Sequence, residues 1–203
     1  MRAPNEIRTS RLLLRPWTAD DAEHLLPVLE ANRSHLGPWI PARVAEPAPL
    51  PVLARRLAAF AADFASDREW RFALFALIDG RVLGEVSLFP RSVDGRVPYG
   101  EADRAEIGYW LRADATGTGL ASEAAQAMVD LATTMPALCR VEIRCDARNG
   151  ASAAIARRLG FELSDSVSTA GVSGDAAAAV TLHVWTRRLA TGGGLGGSAA
   201  PIL

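Results

Sequence analysis

The stretch from Glu106 to Ala125 combines residue types that suit the binding of a phosphate group. Ile107 to Leu111 has the apolar and aromatic character of a strand, and a turn containing Gly117 and Gly119 follows it. Apolar residues then recur at helical spacing from Leu120 to Leu131. The first amides of a helix have no internal partners and lie at the positive end of its dipole, so the sequence predicts an anion site at this turn.

Two common nucleotide-binding motifs do not fit the turn. A phosphate-loop NTPase needs a lysine directly after the second glycine, where this chain has Leu120. The dinucleotide-binding fingerprint needs a third glycine at the position of Ser122. From this stretch alone, the alternative that the glycines only join a strand to a helix stays open.

Composition narrows the classes of function. The chain has 203 residues and a net charge of −1, which indicates one domain with a large core and does not favour a nucleic-acid partner. All 22 basic residues are arginine, so catalysis by a Schiff-base lysine is excluded. The short apolar runs and the polar first ten residues predict no membrane span and no signal peptide, and we expect a cytoplasmic protein. Cys139 and Cys145 lack partners at metal-ligand spacing, so we expect two buried thiols and no metal.

Strands and helices that would position the turn are predicted along the rest of the chain. We expect strands at about 11–15, 70–78, 81–89, 107–111, 139–146, from 161 and 177–188, and helices at about 18–32, 52–66, from 120 and 149–159. Five prolines between Leu36 and Val52 predict a loop without regular structure. Trp39 and Ile40 in that loop either cap the core or wall a ligand site. The domain would span residues 1–188, with 189–203 as a flexible glycine-rich tail.

Five segments of the chain, in this order, resemble the GNAT superfamily of acyl-CoA-dependent N-acetyltransferases and especially its RimJ/RimL-like branch. The segments are TSRLLLR at 9–15, EIGYW at 106–110, GTGLASEA at 117–124, NGAS at 149–152 and LGF at 159–161. The likeness covers about residues 8–188. The acyl-CoA loop of the family begins with Gln or Arg where this chain has Asp114, so only the glycine half of that motif matches.

The resemblance implies an α/β (α+β) fold and an acetyl-CoA site. We expect a mixed, strongly twisted sheet of six to seven strands flanked by helices, with a splay between the two central parallel strands. The pyrophosphate of acetyl-CoA would lie on the backbone of Gly117, Thr118, Gly119, Leu120 and Ala121. The pantetheine arm would pair with the backbone of Tyr109, Trp110 and Leu111, and the amide of Asn149 would bind it too.

The implied reaction is direct transfer of the acetyl group from acetyl-CoA to a primary amine, without a metal. The amine must first lose a proton, and Glu106 is the candidate base, with an exposed glutamate at a strand end as the alternative. Ser152 is the candidate donor of a proton to the departing thiolate, with a helix cap as the alternative for it and for Asn149. Backbone N–H groups near Tyr109 or Trp110 would stabilise the oxyanion.

The acceptor amine is a small molecule or a protein N-terminus, both of which occur in this branch. The residues expected to bind the acceptor are Trp39, Tyr99 and Glu106, and the carboxylates expected to attract its cation are Glu101 and Asp103. This mixture of aromatic and acidic side chains slightly favours a compact amine on a partly apolar body. We expect no nucleic-acid or membrane partner, and a homodimer is possible. The alternative function is a catalytically silent module that binds acyl-CoA and regulates.

Overall fold

The structure, a computed structural model, describes residues 3–170 and 179–190. Its strands are β1 Ile7–Arg8, β2 Leu12–Pro16, β3 Trp70–Ala76, β4 Val82–Ser92, β5 Gly95–Arg96, β6 Arg104–Leu111, β7 Arg140–Asp146, β8 Glu162–Ala170 and β9 Ala179–Arg188. Its α-helices are α1 Ala22–Ala31, α2 Arg33–Leu36, α3 Ala42–Ala45, α4 Leu50–Ala65, α5 Leu120–Thr133 and α6 Gly150–Arg158.

All of these strands belong to one mixed sheet, as the sequence predicted. The order is β1-β2-β3-β4-β6-β7-β9-β8, and β5 pairs with the end of β4. Seven strands have five or more residues, whereas β1 and β5 have two each. Within the described residues, β6 and β7 are the one parallel pair. The expected mixed α/β (α+β) architecture is therefore confirmed.

The two parallel strands separate partway along their length. They pair at Arg104 with Arg140, Ala105 with Val141 and Glu106 with Glu142, and no further pairs follow. Both strands nevertheless continue, β6 to Leu111 and β7 to Asp146. The sheet thus opens beyond Glu106 and leaves the facing edge of β6 without a strand partner, so its backbone groups are available to a ligand.

Helices cover both faces of the sheet and bury two apolar clusters. One cluster lies beneath α5 and α6 and includes Met128, Val86 and Ile107. The other lies beneath α1 and α4 and includes Trp17 and Leu53. Each fully buried large side chain of this kind contributes about 1.5–3 kcal/mol, so the splay is held open by a rigid scaffold on either side.

Two predictions about local structure are wrong. The proline-rich stretch is not irregular throughout, because it contains α3 and the first turn of α4. Pro51 is tolerated in that first turn because the N–H groups there have no partner inside the helix in any case. Cys139 is exposed, because it lies just before β7 begins, whereas Cys145 is buried within that strand. The tail expected at 189–203 lies, from residue 191 onward, outside the described residues.

Within residues 3–170 and 179–190, every helix is too short or too polar to cross a membrane. The same residues contain no cluster of three or more side chains suited to holding a metal ion.

Candidate active site

Two cavities meet at the splay between β6 and β7. The first, which we call the α5 cavity, has a volume of about 350 Å³ and lies between the ends of β6, α5 and α6. The second, the β4 cavity, has a volume of about 610 Å³ and lies between the α3 segment and strands β4, β6 and β7. Six residues line both cavities: Trp39, Ile40, Tyr109, Trp110, Asn149 and Ser152. Ligands in the two cavities would therefore meet at these side chains.

The glycine turn at the start of α5 forms an anion site in the α5 cavity. Gly117 and Gly119 have left-handed backbones, with φ of 74° and 84°. The first helical bond runs from the Glu123 N–H to the Gly119 carbonyl at 3.0 Å, so the three preceding amides have no partner inside the helix. Those amides belong to Leu120, Ala121 and Ser122, which line the cavity. The glycines are required by backbone conformation rather than by crowding, since an added Cβ at Gly117 would meet no atom of the chain within 4 Å.

A cluster of polar contacts ties this turn to the beginning of the chain. The carboxylate of Glu123 accepts hydrogen bonds from the Thr9 hydroxyl at 2.6 Å and from the Arg11 amide and Nε at 2.9 and 2.7 Å. Arg11 also donates to the carbonyl of Thr118 at 2.8 Å. Burial raises the pKa of Glu123, but the bonds from Thr9 and Arg11 outweigh it and the pKa is lowered. Thr9, Arg11 and Glu123 were assigned no role from the sequence, although they lie in two of the five segments that carried the resemblance.

Arg158 of α6 supplies a cation at the same end of α5. Its guanidinium donates to the Ser122 hydroxyl at 2.8 Å, and its side chain lines the α5 cavity. Asp114, by contrast, pairs with Arg112 and does not line that cavity. Thr118 also faces elsewhere, because its hydroxyl donates to the Ala115 carbonyl at 2.8 Å. Arg158 had no sequence signal, since it follows Asp114 by more than forty residues and only the fold brings it to the turn.

The free edge of β6 lines the α5 cavity through Tyr109, Trp110 and Leu111. A ring nitrogen of His35, which sequence analysis did not single out, lies 3.2 Å from the Leu111 carbonyl oxygen. His35 comes from α2, so this contact connects the segment before Trp39 with the end of β6. The remaining unpaired edge of β6 suits an extended ligand that adds like another strand.

A partly buried pair of hydrogen-bonded hydroxyl groups lies where the cavities meet. The Tyr109 hydroxyl is 2.9 Å from Ser152 Oγ. Burial raises the pKa of Tyr109 and the Ser152 bond opposes this rise, and the phenol is protonated at neutral pH, as an ordinary tyrosine also is. Asn149 caps α6 by accepting a bond from the Ser152 N–H at 3.0 Å, so Asn149 rather than Ser152 is the helix cap. The Asn149 side-chain nitrogen donates to no residue in the described part of the chain.

Glu106 lies in the wall of the β4 cavity and is not an exposed glutamate at a strand end. Its side chain is 15% exposed, and Oε2 accepts a bond from Arg91 at 2.7 Å. Its other oxygen, Oε1, has only a contact at 3.7 Å with Arg96. The neighbouring carboxylate of Glu85, which the sequence did not reveal, is buried and accepts bonds from three side chains: Trp17 at 2.7 Å, Arg71 at 2.7 Å and Ser87 at 3.0 Å.

The structure separates the residues expected to bind the acceptor. Trp39 is half-buried and lines both cavities. Tyr99 lines neither of them, because its ring packs edge-on against Trp70 with 5.4 Å between centroids. Asp103 is also absent from both walls and is held by Arg104 through two bonds of 2.8 Å, while Glu101 is exposed. The placement of Tyr99 at the acceptor site is thus corrected.

Comparison with known proteins identifies the family. Residues 11–162 match the acetyltransferase (GNAT) domain family. This match covers most of the chain, which therefore belongs to the GNAT acetyltransferases. The chain is also similar to the probable N-acetyltransferase YjcK of Bacillus subtilis (strain 168), with 27% identity over 155 residues, 76% of this chain and 82% of YjcK.

Several solved structures share the fold. RimL, the ribosomal L7/L12 alpha-N-protein acetyltransferase in complex with coenzyme A, has a TM-score of 0.76 and 19% identity, covering 92% of this chain and 99% of its own. The microcin C7 self-immunity acetyltransferase MccE, in complex with acetyl-CoA and AMP, has a TM-score of 0.78 and 18% identity over 92% and 98%. The ribosomal-protein-S5-alanine acetyltransferase from Vibrio fischeri has a TM-score of 0.73 and 20% identity over 90% and 96%. At these identities the likeness shows the GNAT fold.

Proposed function

We propose that this GNAT acetyltransferase moves the acetyl group of acetyl-CoA directly to a primary amine, as a member of the RimJ/RimL-like branch. Acetyl-CoA occupies the α5 cavity, and the amine enters through the β4 cavity. The observation that carries the proposal is the meeting of the two cavities at Tyr109 and Ser152, beside the free edge of β6. The complexes of RimL with coenzyme A and of MccE with acetyl-CoA support the choice of donor.

The cofactor-binding roles follow from the geometry of the α5 cavity. Unpartnered amides at Leu120, Ala121 and Ser122 receive the pyrophosphate at the positive end of α5, and Arg158 adds a positive charge. The backbone from Tyr109 to Leu111 pairs with the pantetheine arm, whose amides need partners when they leave water. The free side-chain nitrogen of Asn149 donates to the same arm.

Tyr109 and Ser152 together protonate the departing thiolate. The Tyr109 phenol, protonated at neutral pH as an ordinary tyrosine is, passes a proton to Ser152 as the serine gives its own to sulfur. The unpaired N–H groups of β6 stabilise charge that develops on the carbonyl oxygen during attack.

Glu106 receives the proton that the acceptor amine must lose. Arg91 holds Oε2 and fixes the orientation of the carboxylate, which leaves Oε1 to accept a proton directly or through a water molecule. Trp39, at the entrance shared by both cavities, contacts the body of the acceptor. The two unbridged cysteines suit a reducing compartment, and we place the enzyme in the cytoplasm.

The test is an acetyl-transfer assay with a panel of primary amines. Protein, acetyl-CoA and each amine are mixed, and both free thiol and the acetylated amine are measured, the latter by mass spectrometry. We expect thiol release that depends on the amine and equals the acetylated product. Thiol release without acetylated amine, or acetyl-CoA binding without turnover across small amines and N-terminal peptides, would contradict the proposal.

A further inference from the structure

Arginines outnumber carboxylates in the wall of the β4 cavity. The arginines are Arg43, Arg71, Arg91, Arg96 and Arg144, and the carboxylates are Glu85, Glu106 and Asp146. A cavity lined mainly by one sign of charge raises the local concentration of ligands of the opposite sign. This composition is the reverse of what a cavity for a simple ammonium ion would need.

Most of these charges are neutralised within the protein. Arg71 is buried and bonds Glu69 at 2.6 Å and Glu85 at 2.7 Å. Arg91 bonds Glu106 at 2.7 Å. On the β7 side, Arg144 lies 3.6 Å from Glu142, and Asp146 is held by Arg148 at 2.6 Å. The acids of the cavity are therefore already committed to other arginines.

Three arginines of the wall, Arg144, Arg96 and Arg43, have no carboxylate within 3 Å among the described residues. Arg96 is 3.4 Å from Glu69 and 3.7 Å from Glu106, but each carboxylate has a shorter bond to another arginine, Arg71 or Arg91. Arg43 is exposed at the wall of the cavity and makes no ion pair with any residue in 3–170 or 179–190. Arg71, Arg91 and Arg96 thus share three glutamates, with Arg96 the most loosely held of the three, and the nearby Arg43 adds a positive charge that no carboxylate in the described part of the chain balances.

The surroundings of Arg96, whose side chain is 35% exposed, favour a further anionic partner. Its guanidinium lies over the ring of Phe89, 3.6 Å from the centroid, so its N–H groups point away from the ring, where they reach Glu69 only at 3.4 Å. Burial lowers the pKa of Arg96, and although Glu106 and Glu69 oppose this, Arg71 and Arg43 lower it further. A partly desolvated cation near like charges gains from an anion that offers two oxygen atoms.

We infer that the acceptor carries an anionic group, a carboxylate or a phosphate, in addition to its primary amine, and that Arg96 and Arg43 bind this group in the β4 cavity. The inference rests on the proposed function, because it assigns the acceptor to that cavity. It replaces the expectation that Glu101 and Asp103 select a simple amine, since neither residue lines the cavity. The amine end of the acceptor then points toward Tyr109 and Ser152.

The test compares paired amines that differ in the anion. β-Alanine is compared with β-alaninamide, and phosphoethanolamine with ethanolamine, at saturating acetyl-CoA. We expect Arg96→Gln and Arg43→Gln each to raise KM for one or both anionic members about tenfold and to leave KM for the neutral members within about twofold. Arg55→Gln, an equal charge change on the exposed face of α4, is the control and is expected to change neither. The pair that responds shows whether the anion is a carboxylate or a phosphate.

Equal effects of the arginine variants on charged and neutral members would overturn the inference. If no amine in the panel is acetylated, the same amines are titrated calorimetrically into the wild-type protein and both variants, all loaded with CoA. Tighter binding of an anionic member to the wild type, weakened by Arg96→Gln, would support the anion site even though transfer had failed. Absent or equal binding within both pairs would refute it.

Discussion

Replacement of Tyr109 by phenylalanine separates the chemical role of its hydroxyl from its contribution to packing. The ring stays in place, and the change removes only the oxygen that lies 2.9 Å from Ser152 Oγ. A lost buried hydrogen bond costs about 0.5–1.5 kcal/mol of stability, a small part of the about 5–15 kcal/mol typical of a domain. We therefore expect the variant to remain folded and to bind acetyl-CoA as the wild type does.

The effect on turnover is expected to be larger than the effect on stability. A positioned general acid contributes a factor of about 10² to 10⁴, and the lower value corresponds to about 2.7 kcal/mol of barrier. In the proposed relay Tyr109 and Ser152 act together, so Ser152→Ala is expected to lower kcat by a similar factor. The double variant should then be about as slow as the slower single variant, since groups that act as a unit are not additive.

The assay measures kcat from thiol release at saturating acetyl-CoA and acceptor. Cys139 is exposed and would react with a thiol reagent, so all variants are made in a Cys139→Ala background. Because burial raises the pKa of Tyr109, we expect no loss of kcat from phenol ionisation up to pH 10, the ordinary tyrosine value. A lower melting temperature with unchanged kcat, or additive effects in the double variant, would refute the relay.

Three other predictions concern the turn, its support and the base. Gly119→Val forces a β-branched residue to adopt φ of 84°, so calorimetry should show the Kd for acetyl-CoA raised at least about tenfold. Gly100→Val is the control and should not change this Kd, because an added Cβ at Gly100 meets no atom within 4 Å. Because the folded state lowers the pKa of Glu123, Glu123→Gln should reduce the free energy of unfolding by about 1–2 kcal/mol at pH 7. The difference between the variant and the wild type should vanish as the pH falls through the lowered pKa, and a difference that does not depend on pH would contradict the prediction. Glu106→Gln should lower kcat about 10²-fold and flatten the pH–rate profile with acetyl-CoA Kd unchanged. Glu101→Gln, at an exposed position of a short helical turn, should leave the profile intact.

The sequence was sufficient for the parts of the site that depend on local chain geometry. The strand, glycine turn and helix from Glu106 onward could be predicted because periodicity and the left-handed preference of glycine act within a few residues. Asn149 as a cap followed from the same kind of local rule. Tyr99 was placed wrongly because its ring position depends on Trp70, which belongs to another strand.

The pairing of Arg71 with Glu85 shows how one residue of register decides a buried contact. The turn at Asp79–Gly80 joins β3 to β4, and the pairing begins with Phe75 opposite Val82. An irregularity between Leu74 and Phe75 shifts the register by one, so that Arg71 lies opposite Ser87 and diagonal to Glu85 on the same face. Without the shift the two charges would lie on opposite faces, and no rule of spacing reveals the shift from the sequence.

The charge of the β4 cavity depends on register over a longer distance. Phe89 lies opposite Glu106, which makes Arg91 the diagonal neighbour of that carboxylate on the same face. Residues 93–103 separate β4 from β6 and contain β5 and a short helical turn, so the intervening chain does not itself fix this register. The apolar alternation of each strand is satisfied by any shift of two residues, yet a shift of two that placed Glu106 opposite Ser87 would move it away from Arg91. In the proposed function the acceptor is therefore harder to infer from the sequence than the donor, because the phosphate-binding turn of the donor site is built from consecutive residues, whereas the wall of the β4 cavity is built from several strands.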